Sequence, residues 1–149
     1  MANGNLPMRR SLRIIVADDD PDTVRTLREL LTDEGHEVVG VHSGHAAVSQ
    51  LRRQSSDAVI VDINMPGVSG YEVGRETKRI YGELSPLLIA ISGKWTGQTD
   101  RMLSELAGFS HFFEKPCRLA SLLAVLEPLR NQPPPSPPPF IDQTVERLK

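Results

Sequence analysis

The stretch DAVIVDINMPGVSG, Asp57 to Gly70, decides the architecture. Ala58, Val59, Ile60 and Val61 form an unbroken apolar run, the signature of a strand buried on both faces of a parallel sheet. Asp62 follows at once, and Pro66, Gly67 and Gly70 then force the chain to turn. An acid at the carboxyl end of a buried strand stands where open α/β sheets place their ligands. The same pattern occurs upstream, where Ile14, Ile15 and Val16 run through Ala17 into Asp18, Asp19 and Asp20. Two strands delivering acids to one sheet edge imply an acidic pocket suited to a divalent cation.

Working outward, strands are expected at Leu12 to Ala17, Val38 to Val41, Ala58 to Val61, Leu87 to Ile91 and Phe109 to Glu114. Between them lie helical patterns. Pro21 suits a helix start with Asp20 as N-cap, Val24, Leu27, Leu30 and Leu31 recur at helical spacing, and Gly35 ends that helix. Ala46, Ala47, Gln50 and Leu51 give a weaker second helix, and Tyr71 to Tyr81 a third. Met102, Leu103, Leu106 and Ala107 mark a fourth that stops at Gly108. Leu119, Leu122, Leu123, Leu126 and Leu129 line a fifth, whose end Pro128 should fray. Five strands alternating with five helices predict an α/β fold with a parallel sheet covered on both faces.

Composition narrows the function classes. The chain has 149 residues, 39% hydrophobic and 24% charged, which is the balance of one soluble globular domain. A net charge of −2 gives no electrostatic case for nucleic acid or an anionic membrane surface. The apolar run Leu87–Ile91 is too short to span a bilayer, and the first ten residues lack the apolar core of a signal peptide. The single cysteine, Cys117, excludes an internal disulfide, reads as a packed small hydrophobe, and fits a cytoplasmic location. The expected organisation is a loose tail over 1–10, a folded domain over 11–130 and a proline-rich tail over 131–149. Within that tail QPPPSPPP, Gln132 to Pro139, reads as an extended spacer, and Phe140 to Lys149 has the makings of a short helix.

The carboxyl ends of the strands carry Asp18 and Asp19, Asp62, Ser92 and Lys115. Three clustered carboxylates repel one another unless a cation joins them, and hard oxygen donors of this kind suit Mg²⁺. Lys115 brings a second positive charge and Ser92 a hydroxyl donor. An acceptor carboxylate, charge neutralisation and hydrogen-bond donors are the parts needed to transfer a phosphoryl group to an aspartate. Two competing motifs overlap these acids. Asp18, Asp20, Asp22 and Glu29 imitate a calcium loop, but Thr23 stands where glycine is needed and a helix must begin at the same place. Asp20-Pro-Asp-Thr-Val24 imitates a DxDx[TV] phosphatase pattern, but Asp18 already holds the position after the strand. His36, His42, His45 and His111 are scattered without metal-ligand spacing and read as structural.

On these residues, from the acids after the first strand through DINMPGVSG, AISG and the Lys115–Pro116 pair, the chain resembles the receiver domains of two-component signalling over residues 12–130. The resemblance implies a flavodoxin-like (βα)5 fold, a doubly wound five-stranded sheet in the order 2-1-3-4-5. It implies Asp62 as the phosphorylated residue, with Ser92 and Lys115 holding the phosphoryl group. Mg²⁺, for which Mn²⁺ can substitute, would be bound by Asp19, Asp62 and the backbone carbonyl of Asn64, with Asp18 acting through a water. Phe112 fills the place of the switch aromatic and works with Ser92. Ser69 and Gly93 depart from the commonest residues at their positions, and Asn64 and Lys94 occupy positions that tune phosphoryl lifetime. The implied partners are a sensor histidine kinase or histidine phosphotransfer protein, and a downstream protein target on the face of the fourth helix, fifth strand and fifth helix. The expectation is a stand-alone phosphoacceptor switch rather than a metabolic enzyme, with output by protein contact or phosphorelay, because the 19 residues after Arg130 are too few for a DNA-binding module. The alternatives are a receiver-shaped scaffold that works without phosphorylation, and the receiver segment of a hybrid histidine kinase.

Overall fold

The computed structural model describes residues 9–93 and 98–138, with the backbone alone at 98 and 99. Strands β1 (Arg13–Ala17), β2 (Glu37–Val41), β3 (Ala58–Asp62), β4 (Leu87–Ser92) and β5 (His111–Glu114) form one parallel sheet in the order β2-β1-β3-β4-β5. Helices α1 (Pro21–Asp33), α2 (Gly44–Arg53), α3 (Gly70–Tyr81), α4 (Gln98–Leu106) and α5 (Leu119–Leu126) alternate with them. The expected order and the alternation of strand and helix are those observed.

The strand sequences sort their side chains by parity, because successive residues of a strand face opposite sides. Ile14, Val16, Ala58, Ile60, Ile89 and Ile91 meet Val24, Leu27 and Leu31 of α1 and Leu122 and Leu126 of α5. Ile15, Ala17, Val59, Val61, Leu88 and Ala90 point the other way, onto Ala47 and Leu51 of α2 and Val73 and Ile80 of α3. β3 is buried at all five positions, which is why its sequence carries no alternation. The hydroxyl of Tyr81 donates to the Leu51 carbonyl and so ties α3 to α2.

Caps fix where the helices enter. The Asp20 carboxylate accepts from the Asp22 N–H at 3.0 Å, and Ser43 caps α2 through the Ala46 N–H at 3.1 Å. Ser69 and Glu72 form a reciprocal capping box at the start of α3. Ser69 therefore launches the helix that follows the loop after β3. At Pro128 the last α-helix gives way to a 3-10 turn over Glu127–Asn131, as its missing N–H requires.

One expectation needs correction. β5 starts at His111 rather than Phe109, and Phe109 instead packs into the core beside Ala107. In α4 the residues that reveal the helix do not bury it: Met102 and Leu106 are 59% and 78% exposed, whereas Ser104 is fully buried.

At the amino ends of the strands the two flanks of the domain are laced together. The Arg10 guanidinium pairs with both oxygens of Asp57, at 2.7 and 3.1 Å, and also donates to the carbonyls of Leu129, Gln132 and Pro133. Arg130 donates in return to the Arg10 and Arg9 carbonyls. Asp57 also accepts from the Arg13 N–H at 2.8 Å, so one buried carboxylate holds β1, β3 and both flanks.

Candidate functional site

Register brings the chemistry to one edge. Ala17 pairs with Val61, so Asp18 leaves β1 beside the end of β3, where Asp62 pairs with Ile91. Ser92 is the next residue of β4 and pairs with Glu114, so Lys115 is the first residue beyond β5. The Lys115 N–H donates to the Ser92 carbonyl at 2.9 Å, which fixes where the lysine side chain starts. The Lys115–Pro116 peptide is cis. Residues drawn from positions 18 to 115 thereby converge without any one segment carrying the site.

Asp18 is fully buried, Asp62 nearly so, and Asp19 exposed. One carboxylate oxygen from each lies within 4.8 Å of the others. The Lys115 ammonium stands 2.6 Å from Asp18 Oδ2 and 3.3 Å from Asp62 Oδ2. The remaining oxygens are also engaged. Asp18 Oδ1 accepts from the Asp20 N–H at 2.9 Å, and Asp62 Oδ1 from the Asn64 N–H at 3.1 Å. The Asn64 side-chain amide donates to Ser92 Oγ at 2.8 Å.

Burial raises the Asp18 pKa and the neighbouring Asp62 carboxylate adds to this, against the opposing pull of Lys115. For Lys115 burial works against the charge, but the two aspartates outweigh it and raise the ammonium pKa, so it stays protonated. Three carboxylates with one lysine leave the pocket net negative. That donor set, all oxygen and with two of its three carboxylates buried, suits a hard divalent cation.

Among the described residues, an added Cβ at Gly93 would meet Lys115 Cδ alone, at an ordinary 3.9 Å. A cavity of 410 Å³ opens beside Lys115, lined by Asp22, Thr23, Leu30 and Cys117 among others. Burial pushes the Cys117 thiol up to about 11, which makes it a poor nucleophile at neutral pH. Phe112 is half-buried on β5, packs against the core, and lies 5.5 Å beneath the Arg101 guanidinium. Tyr71 donates to Asp100 at 3.0 Å, and burial together with that carboxylate pushes its phenol up to about 12.

The structure thus gathers Asp18, Asp19, Asp62, Ser92 and Lys115, while Phe112 sits apart on the outer strand. Lys94 lies outside the described residues, as does the helix expected over Phe140–Lys149. Sequence reasoning missed the side-chain bond of Asn64 to Ser92. Its signal was available only in the residue type, an amide two positions after the acid.

Comparison with known proteins gives a consistent picture. The response regulator receiver domain family matches residues 14–127. The transcriptional regulatory protein TcrA of Mycobacterium tuberculosis is 34% identical over 92% of the chain, and the chain spans about half of that protein, 53% of its length. The protein PilH of Pseudomonas aeruginosa is 28% identical over 76% of the chain and 93% of its own length. Among solved structures, the receiver domain of the sensor histidine kinase PA1611 from Pseudomonas aeruginosa is 26% identical, with a TM-score of 0.72 over 81% of this chain and 98% of that one. It holds a magnesium ion in its active-site cleft. Among the described residues no helix is long and apolar enough to cross a membrane.

Proposed function

Since the chain belongs to the response regulator receiver domain family, we propose that it accepts a phosphoryl group on Asp62 from a histidine kinase or a histidine phosphotransfer protein. The observation that carries the proposal is the environment of that carboxylate. It stands at the end of a fully buried strand, within 3.3 Å of a protonated lysine and among two further aspartates that a cation would join.

A carboxylate oxygen of Asp62 attacks phosphorus, the bond to the donor nitrogen breaks, and the imidazole leaves. When bound, Mg²⁺ supplies charge neutralisation between the acceptor and the incoming phosphoryl oxygens. Asp19, Asp62 and the Asn64 carbonyl would hold the ion, and Asp18 would act through a water. Lys115 keeps its charge throughout and faces the new phosphoryl oxygens. The Ser92 hydroxyl donates to one of them. Turning toward the phosphoryl group, Ser92 vacates space that Phe112 enters, which shifts a two-state equilibrium on the face of α4, β5 and α5. Output is then protein contact or onward phosphotransfer, in a stand-alone role.

The test is intact-mass analysis after incubation with acetyl phosphate, with and without Mg²⁺, on wild type and Asp62→Asn. The expected result is one added phosphoryl group that needs Mg²⁺ and is absent in the variant. If neither acetyl phosphate nor a panel of kinases labels the wild type, the protein works as an unphosphorylated scaffold.

A further inference from the structure

We propose that Arg101 is a positioning residue for Phe112, holding the ring in its unswitched place. The proposal rests on the phosphoacceptor reading above. Phe112 lies on β5, an edge strand of the sheet, and is half-buried against the core that α2 and α3 cover. The Arg101 guanidinium, carried by α4, stands 5.5 Å from the centre of the ring. A cation within about 6 Å of an aromatic face is drawn to the negative side of its quadrupole. The helix dipole does not call for this charge. Arg101 is exposed and is the fourth residue of α4, close to the end that disfavours cations.

Strand register shows what the contact does to the switch. Phe112 pairs with Ala90, whereas Ser92 pairs with Glu114. The space beside Ser92 therefore lies two residues further along the sheet, about 6–7 Å toward its carboxyl edge. A rotation that carries the ring there carries it off the guanidinium. The contact is made in the unswitched form and lost in the switched one, so it biases the equilibrium against switching. Phosphorylation has to overcome that bias, and Arg101 thereby raises the threshold of the response.

The experiment titrates wild type, Arg101→Gln, Phe112→Leu and the double variant with beryllofluoride, a mimic of the phosphoryl group, at saturating Mg²⁺. Glutamine keeps the helix propensity and part of the aliphatic stem and lacks the charge. The ¹⁵N-amide resonances of β5 report the apparent affinity. Arg101→Gln should tighten it about two- to five-fold, the worth of one exposed cation–π contact, because the switched form no longer has to give that contact up. The sign separates this from the long-range field, since deleting a positive charge would by itself weaken the binding of an anion. In the Phe112→Leu background Arg101→Gln should bring no tightening. An unchanged or weaker affinity of Arg101→Gln overturns the proposal, as does an equal tightening in the Phe112→Leu background. If acetyl phosphate adds a phosphoryl group to wild type by intact mass while the β5 resonances ignore beryllofluoride, the switch role of Phe112 fails and the proposal with it, and the acceptor reading stands. If wild type takes up neither, the acceptor reading itself fails.

Discussion

Lys115→Met removes one charge and little volume, and the site geometry sets what that does to folding. The lysine side chain is 23% exposed and its ammonium lies 2.6 and 3.3 Å from two carboxylates whose side chains are 0% and 6% exposed. Breaking a buried pair by deleting one partner costs about 3–5 kcal/mol. The mouth of this pocket admits water, so the expected loss is nearer 2–3 kcal/mol at pH 7.5 in EDTA, or about 6–12 °C in melting temperature. The loss has a pH signature. Burial already raises the folded-state pKa of Asp18 above its unfolded value, and deleting the lysine removes the interaction that opposes this rise. A carboxyl raised in this way is no burden below its unfolded pKa and a growing one as pH rises through its folded pKa. The gap between variant and wild type should therefore close as pH falls toward the ordinary carboxylate range, about 4. Mg²⁺ should stabilise the variant more than wild type, because the ion replaces the missing charge. Urea unfolding followed by circular dichroism, at pH 7.5 and 4.5 and with EDTA or Mg²⁺, measures all three. A variant as stable as wild type in EDTA, or a gap independent of pH, would refute the electrostatic account of this pocket.

Two further outcomes test the scaffold. His36 is buried, its Nδ1 accepts from the Leu12 N–H at 3.1 Å, and burial followed by Arg130 lowers its pKa. Near pH 6.5 the unfolded chain binds the proton more readily than the folded one, so stability should fall as pH drops below about 6.5. His36→Asn keeps an acceptor and should flatten that slope between pH 7 and 5 in urea titrations. At Gly74 an added Cβ would meet the Ala107 carbonyl oxygen and Phe109 Cε2, both at 2.6 Å. Overpacking of about 1–3 kcal/mol exceeds the gain in helix propensity of about 1 kcal/mol, so Gly74→Ala should lower the urea midpoint at unchanged slope.

The parts of this fold that were legible in the sequence are those with short-range causes. The apolar run of β3, the cap at Asp20 and the acids after β1 and β3 each sit beside the feature that explains them. What was not legible depends on partners far along the chain. Nothing near Arg10 announces that it meets Asp57, 47 positions away. The side-chain bond of Asn64 needs Ser92, 28 positions on, and the burial of Ser104 in α4 is not signalled by its residue type. Periodicity locates such a helix but does not orient it when apolar residues lie on its outer face. The glycines at 70 and 74 are similar, since only the approach of the Asp62 carbonyl and of Ala107 shows that a methyl group has no place there.

The lacing around Asp57 also determines how the domain can be joined to other things. Arg9 and Pro133 leave from the same spot, at the opposite end of β3 from Asp62, so the domain behaves as a plug with both leads on its base. Anything spliced to either lead hangs below the plug and keeps the socket around Asp62 clear. Inserting the whole unit into a surface loop of a host protein asks for little extra chain, because the distance to be closed is already short. A reporter fused through the proline segment would be spaced from the base by a stiff rod rather than a slack tether.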